Sequence, residues 1–374
     1  MIQVDISNIW GALSLRDLLG LERAVFDAHL SLGEAFSPSS FTASETLDRL
    51  LAAARRIREE SEVLLVIGGD EGAQGILELL QGTHRNLLRE EGEPQIFFAG
   101  KDFSTRSWNQ LQQLIDGKHF SLCVIGGTQE SAIAFRNLKW RLERRYGTDE
   151  SRQRIFAVTA EGAPLHQMAR EEGWEAFVIP ACAGVLSPAG LLPLAVAGID
   201  IRALLRGAEE AFLEFDLRSY ENPVWLYAAA RHLLGGQLSL ELLRTGEPDF
   251  SRLGSWWQQL FAGVSSLFPA YAGLAGVQPG SSCLETVLRF DPPEQKAFLW
   301  PAVKDLDGLN HLSGSTLDQI EETTFQSLLE AHTDAGLPLI TIACGALDAE
   351  VLGQLLWFFL LSSALGRNLL AEDT

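Results

Sequence analysis

The sequence predicts an α/β protein built on two doubly wound parallel sheets. Three observations carry that prediction. Short continuous apolar runs recur, each closed by glycine, threonine or proline, as strands buried on both faces do. Stretches with helical periodicity stand between them, and such alternation is the signature of a parallel sheet covered by helices. At 374 residues the chain is long enough for two domains of ordinary size.

Residues 1–42 read as an N-terminal leader that ends in the turn-rich Phe36-Ser37-Pro38-Ser39-Ser40. Thr42-Ala43-Ser44-Glu45 fits a capping box, and Leu47, Leu50, Leu51 and Ile57 form a helical stripe behind it. Residues 63–67 are the first apolar run and end in Gly68-Gly69. Residues 95–99, 121–125, 154–159 and 176–179 repeat the pattern, with helical stretches at 75–88, 108–115, 131–146 and 165–172. Short crossovers make the winding right-handed. These elements define a first domain over residues 43–203.

Beyond residue 199 the pattern loosens. Residues 201–217 and 224–234 look helical, and Trp256-Trp257 opens another helix. Residues 267–272, 284–290 and 337–343 supply strands for a second, less regular sheet. A buried helix over 351–365 closes a second domain, 204–374.

The net charge is −20, from 49 acids against 29 bases. Phosphate backbones are bound through dense Lys and Arg, so nucleic acid is not an expected partner, and anionic membranes are disfavoured for the same reason. The longest apolar stretches, 189–199 and 355–361, are short for a bilayer. No basic segment followed by an apolar run opens the chain, so a signal peptide is not expected. Cys123, Cys182, Cys283 and Cys344 are widely spaced and form no C-x-x-C, which argues against a disulfide scaffold or a zinc site. The histidines show no metal-ligand spacing. The expectation is a cytoplasmic protein with neither metal nor cofactor. Cys182 reads as a small buried residue, Trp256-Trp257 as core, and the basic run from Arg136 to Arg145 as a solvated helix face.

Several phrases resemble the bacterial glucose-6-phosphate isomerase family. They are PQIFFAG at 94–100, AIAFR at 132–136, FVIP at 177–180, GLLPLAVAGID at 190–200, WWQQLF at 256–261, LDGLN at 306–310 and AHTDAGLP at 331–338. They stand in family order. The resemblance implies two sugar-isomerase (SIS) domains, a homodimer, and a sugar phosphate held between domains and subunits.

Moving a carbonyl from C1 to C2 needs the ring opened, a proton shuttled by a carboxylate, and the enediolate charge stabilised. By resemblance a Glu, an Arg, a His and a C-terminal Lys do this, and a Ser/Thr-rich loop grips the phosphate. Most of these parts are missing here. The first glycine loop reads Gly68-Gly69-Asp70-Glu71-Gly72, shortened and acidic. A carboxylate ~5 Å from a phosphate charge costs about 3 kcal/mol at an effective dielectric near 20. The phosphate loop is reduced to Gly126-Gly127-Thr128-Gln129-Glu130-Ser131. Gly126, Gly127, Thr128 and Glu130 are the candidate substrate-binding positions; an anion at a helix start and a plain tight turn both suit that stretch.

Ala181-Cys182-Ala183-Gly184 stands where the family Arg is expected, and a guanidinium fork has no substitute among those residues. Pro279, in Gln278-Pro279-Gly280, takes the place of the proton-shuttling Glu. Glu285 matches a non-catalytic family position. His332 is the one retained catalytic position, with Asp334 as its candidate orienting partner; a purely structural role fits it too. The family's terminal Lys motif has no counterpart. The resulting expectation is a catalytically impaired isomerase relative with a binding or regulatory role. The alternatives are an active isomerase pairing His332 with Glu130 or Glu71, and a scaffold or hetero-oligomer subunit without a small ligand.

Overall fold

The computed structural model describes residues 2–33, 36–69, 71–82, 92–179, 184–274 and 283–372. The chain divides into two compact units, Ala35–Glu209 and a second made of Met1–Glu34 with Glu210–Thr374.

The unit Ala35–Glu209 holds a five-stranded sheet in the order β3-β2-β4-β5-β6, all parallel. Its strands are β2 (Val63–Ile67), β3 (Gln95–Ala99), β4 (Phe120–Ile125), β5 (Ile155–Thr159) and β6 (Glu175–Val178). Every residue of β2, β4 and β5 is buried, which explains their unbroken apolar runs. On one face Leu65, Leu122, Val124 and Ala157 meet Phe135, Leu138 and Leu142 of α6 (Gln129–Gln153), with α5 (Thr105–Ile115) beside it. Helices α3 (Ser44–Glu60) and α8 (Pro188–Val196) pack together, and α8 reaches β2 and β5. Ser187 caps α8 and Pro188 occupies its first turn. The expected capping box at Thr42 does not form: Ala43 is the N-cap of α3, and the Thr42 hydroxyl donates to the Leu186 carbonyl at 3.1 Å.

In the other unit the sheet runs β1-β10-β9-β7-β8, parallel except for β1. Its strands are β1 (Gln3–Asn8), β7 (Leu240–Thr245), β8 (Phe268–Gly273), β9 (Cys283–Asp291) and β10 (Leu339–Ala346). The leader expected over 1–42 is therefore not a separate segment. β1 pairs antiparallel with β10, Gln3 opposite Ala343, and covers an edge that would otherwise expose unpaired backbone groups. α1 (Leu15–Leu32) packs on α10 (Pro223–Gly235) and on α13 (Ala349–Glu372). By length and composition α13 passes for a membrane span, contrary to the sequence reading that its apolar stretch is too short. In the fold it is a core helix. Phe358 and Phe359 join Tyr227, Trp257 and Phe261 in one aromatic cluster.

Both faces of this sheet bury charge. On one, Glu241 accepts from the hydroxyls of Tyr227 and Thr286, each at 2.7 Å, and pairs with Arg231. On the other, Arg244 Nη2 donates to Glu285 Oε1 at 3.2 Å, and its Nε stands 2.6 Å from Oε2. All four charged groups are buried.

Candidate functional site

In an open parallel sheet, ligands bind outside the carboxyl ends of the strands, where the strand order reverses. In the unit Ala35–Glu209 that point lies between β2 and β4. The loop leaving β2 is held tightly against β4. Gly68 has φ +83°, and a Cβ there would lie 2.5 Å from the Ile125 carbonyl oxygen. Gly100, at the end of β3, has φ +75°; its Cβ would crowd Ile67, Ser131 and Ala134 at 3.1 Å each. Glu71 stands at the N-cap of α4 (Gly72–Gln81) and receives Lys101 Nζ at 2.7 Å. Asp70 lies outside the described residues.

After β4, Gly126 donates its N–H to the Val158 carbonyl at 3.2 Å. Thr128 caps α6 through a closed box. Its hydroxyl accepts from the Ser131 N–H at 3.2 Å, while Ser131 Oγ accepts from the Thr128 N–H at 3.1 Å and donates to the Thr128 carbonyl at 2.8 Å. The two hydroxyls that this loop retains are thus committed to the helix start. A phosphate would have to compete with that cap.

The predicted substrate-binding positions do not share one cavity. Gly126, Gly127 and Thr128 line a groove of about 880 Å³ between α6 and α7 (Pro164–Glu172). Glu130 lines another of about 460 Å³, with Phe98, Lys101 and Trp108. The reversal point itself holds about 110 Å³, lined by Gly68, Gly69, Ala73, Phe98, Ile125 and further apolar groups. No ionisable or hydroxyl side chain is among its described lining. Pockets that take small-molecule ligands run to about 300–1,000 Å³.

His332 belongs to the other unit. It sits in the last turn of α12 (Leu317–Ala335), which Gly336 ends in the left-handed conformation. The ring is 0% exposed, with Nδ1 2.9 Å from the Leu328 carbonyl and Nε2 3.5 Å from Glu285 Oε1. Its partner is therefore Glu285; the expected orienting residue, Asp334, is exposed. Glu285 is near the amino end of β9, far along the strand from the carboxyl edge where ligands bind in such sheets. Burial opposes charge on the imidazole, but the nearby Glu285 carboxylate and the hydrogen bond to the Leu328 carbonyl prevail and raise its pKa. Burial likewise acts against the Glu285 carboxylate; the nearby His332 ring and the Arg244 guanidinium outweigh it and hold the pKa below the ordinary value. These groups form a buried Arg244–Glu285–His332 triad, of which the sequence reading missed the arginine. Ala181, Cys182, Ala183 and Pro279 lie outside the described residues.

No family model matches the chain. The glucose-6-phosphate isomerase of Heliobacterium modesticaldum is 39% identical over 89% of this chain and 80% of its own length. The chain belongs to the glucose-6-phosphate isomerase family. A second glucose-6-phosphate isomerase, from Alkaliphilus metalliredigens, is 34% identical over 413 aligned positions that take in all of this chain and 91% of the relative. Because this chain has 374 residues, the relative carries stretches without a counterpart here. A solved glucose-6-phosphate isomerase from Chlamydia trachomatis matches the fold with a TM-score of 0.68 at 16% identity, over 87% of this chain and 69% of the other. The two helix-covered, largely parallel sheets are thus those of the glucose-6-phosphate isomerase fold.

Proposed function

We propose that this glucose-6-phosphate isomerase relative has lost aldose–ketose isomerisation and serves as a binding or regulatory protein on the inherited fold. The carrying observation is the strand-order reversal point, where the described lining is glycine and apolar side chains around about 110 Å³. Isomerisation needs a base within hydrogen-bond reach of the migrating proton and a donor for the developing oxyanion. His332 is sealed inside the triad and Glu285 is matched to Arg244. Pro279 and Ala181–Ala183 occupy, by sequence, the positions where the family resemblance puts a base and a guanidinium. The proposal includes a cytoplasmic setting and a sugar phosphate as the bound class.

A coupled assay converting fructose 6-phosphate to glucose 6-phosphate tests this on the purified chain. No turnover above background is expected; rates in the ordinary enzyme range, about 1–10³ s⁻¹, would overturn the proposal. Ligand binding has its own readout. A sugar phosphate at about 100 times its Kd should add about 2.7 kcal/mol to the unfolding free energy. If no member of a phosphosugar panel shifts the melt, the bound class is wrong and a scaffold role takes its place.

A further inference from the structure

The groove of about 880 Å³ between α6 and α7 has the carboxyl ends of β4 and β5 as its floor. No residue of β2 is in its described lining, so it is a different place from the strand-order reversal point. Both helices start at the same end of it. β4 and β5 are parallel neighbours, and each is followed by its helix, α6 from Gln129 and α7 from Pro164. Two helix N-termini thus bring partial positive charge to one end of the groove. The α7 start carries no side-chain cap: Ala163 is the N-cap residue and Pro164 follows, which leaves the N–H groups of Leu165 and His166 uncapped.

Thr159 ends β5 beside them. It is 4% exposed and lines the groove, and its hydroxyl makes no hydrogen bond to a described residue. Gly126 keeps the space over that hydroxyl open, since a Cβ there would lie 3.3 Å from Thr159 Oγ1. A buried hydroxyl without a partner costs stability, and a ligand acceptor would satisfy it. Away from this end the walls are apolar, with Phe135 and Trp140 from α6 facing the groove and Leu165 and Met168 from α7. The carboxylates of the lining stand farther along. Glu172 comes eight residues after Pro164, about 12 Å of helix, and Glu143 fourteen after Gln129, about 21 Å. Glu143 is also paired with Lys139. Arg136 lines the groove between these ends and has no ion pair among the described residues. The groove is therefore graded, with donors at the helix starts, apolar walls along its length and acids at the far end.

We propose that this groove binds an acyl-chain anion, with its carboxylate or phosphate head at Thr159 and the α7 start and its chain lying between the two helices. The gradation fixes the orientation, because the reverse one would place the head beside Glu172. A hexose phosphate suits the groove badly. Its hydroxyls would leave water for apolar walls, and the Thr128 and Ser131 hydroxyls at the near end are already committed to the α6 cap. The inference rests neither on the loss of isomerisation nor on a bound sugar phosphate.

Isothermal titration calorimetry on the full chain tests it, with decanoate and decyl phosphate as probes, each below its micelle concentration. One anion per chain is expected to bind, and the tighter of the two probes identifies the head. Decanol and inorganic phosphate each lack half of the recognised group and should bind at least about tenfold more weakly. Thr159→Val keeps the branched shape at the floor and should weaken the anion by about tenfold or more, the size of one hydrogen bond to a charged group. Met168→Glu places a carboxylate on the apolar wall at a residue 41% exposed, and should abolish binding while the melt of the free protein is unchanged. The proposal is overturned if neither anion binds, if decanol binds as tightly as decanoate, or if the stoichiometry is not one to one. An affinity unchanged by either substitution overturns it as well. So does displacement of the bound anion by glucose 6-phosphate, which would make the groove a sugar-phosphate site.

Discussion

Glu285→Gln is expected to lower the unfolding free energy by about 3–5 kcal/mol, read as a shift of the urea midpoint at constant slope. The substitution keeps the volume of the side chain and removes its charge, so cavity formation contributes little. What remains is the buried Arg244 guanidinium, deprived of the Glu285 charge, beside an imidazole that has lost that carboxylate. The triad also sets a pH dependence. Glu285 has a depressed folded pKa, so its contribution is present above the ordinary value of 4.5 and is lost as pH falls through the folded value. His332 has a raised folded pKa, so its contribution is complete below the ordinary 6.5 and is lost as pH climbs through the folded value. Urea midpoints measured from acid to mildly alkaline pH should therefore decline at both ends. In the glutamine variant the alkaline decline should shrink, because the imidazolium no longer gains from a carboxylate. An unchanged alkaline limb would remove His332 from the account.

Gly68→Ala should cost about 2–5 kcal/mol, from two separate sources. The left-handed backbone at φ +83° penalises any Cβ by about 1–2 kcal/mol. The new methyl would also lie 2.5 Å from the Ile125 carbonyl oxygen, a backbone atom that moves only with β4, and such overpacking typically costs about 1–3 kcal/mol. Chemical denaturation followed by tryptophan fluorescence measures the sum. A loss below about 0.5 kcal/mol, the size of an ordinary surface change, would mean that the β2 loop does not pack on β4 as described.

The first sheet was legible because β2, β4 and β5 are buried on both sides and wear that burial as continuous apolar runs. β7 was not legible, and its sequence says why: Leu240-Glu241-Leu242-Leu243-Arg244-Thr245 carries an acid and a base that look solvent-facing. Both are buried, on opposite faces, because partners on other elements neutralise them. β1 was missed for a related reason, since an edge strand with exposed positions has little apolar signal of its own. At the candidate site the glycine turns could be located from residues alone. The closure of the Thr128–Ser131 box could not, and neither could the side on which His332 is buried, because both depend on contacts rather than on residue type.

β1 has a consequence for synthesis. The unit Ala35–Glu209 is continuous in sequence and can gather its sheet as it leaves the ribosome, whereas the other unit is split around it. Gln3–Asn8 is made before Ala35–Glu209, yet its partner Leu339–Ala346 is made after it. Throughout that interval β1 lacks its partner, and the loop that must close takes in all of the unit Ala35–Glu209. A strand made early therefore completes its sheet only when one made much later is present.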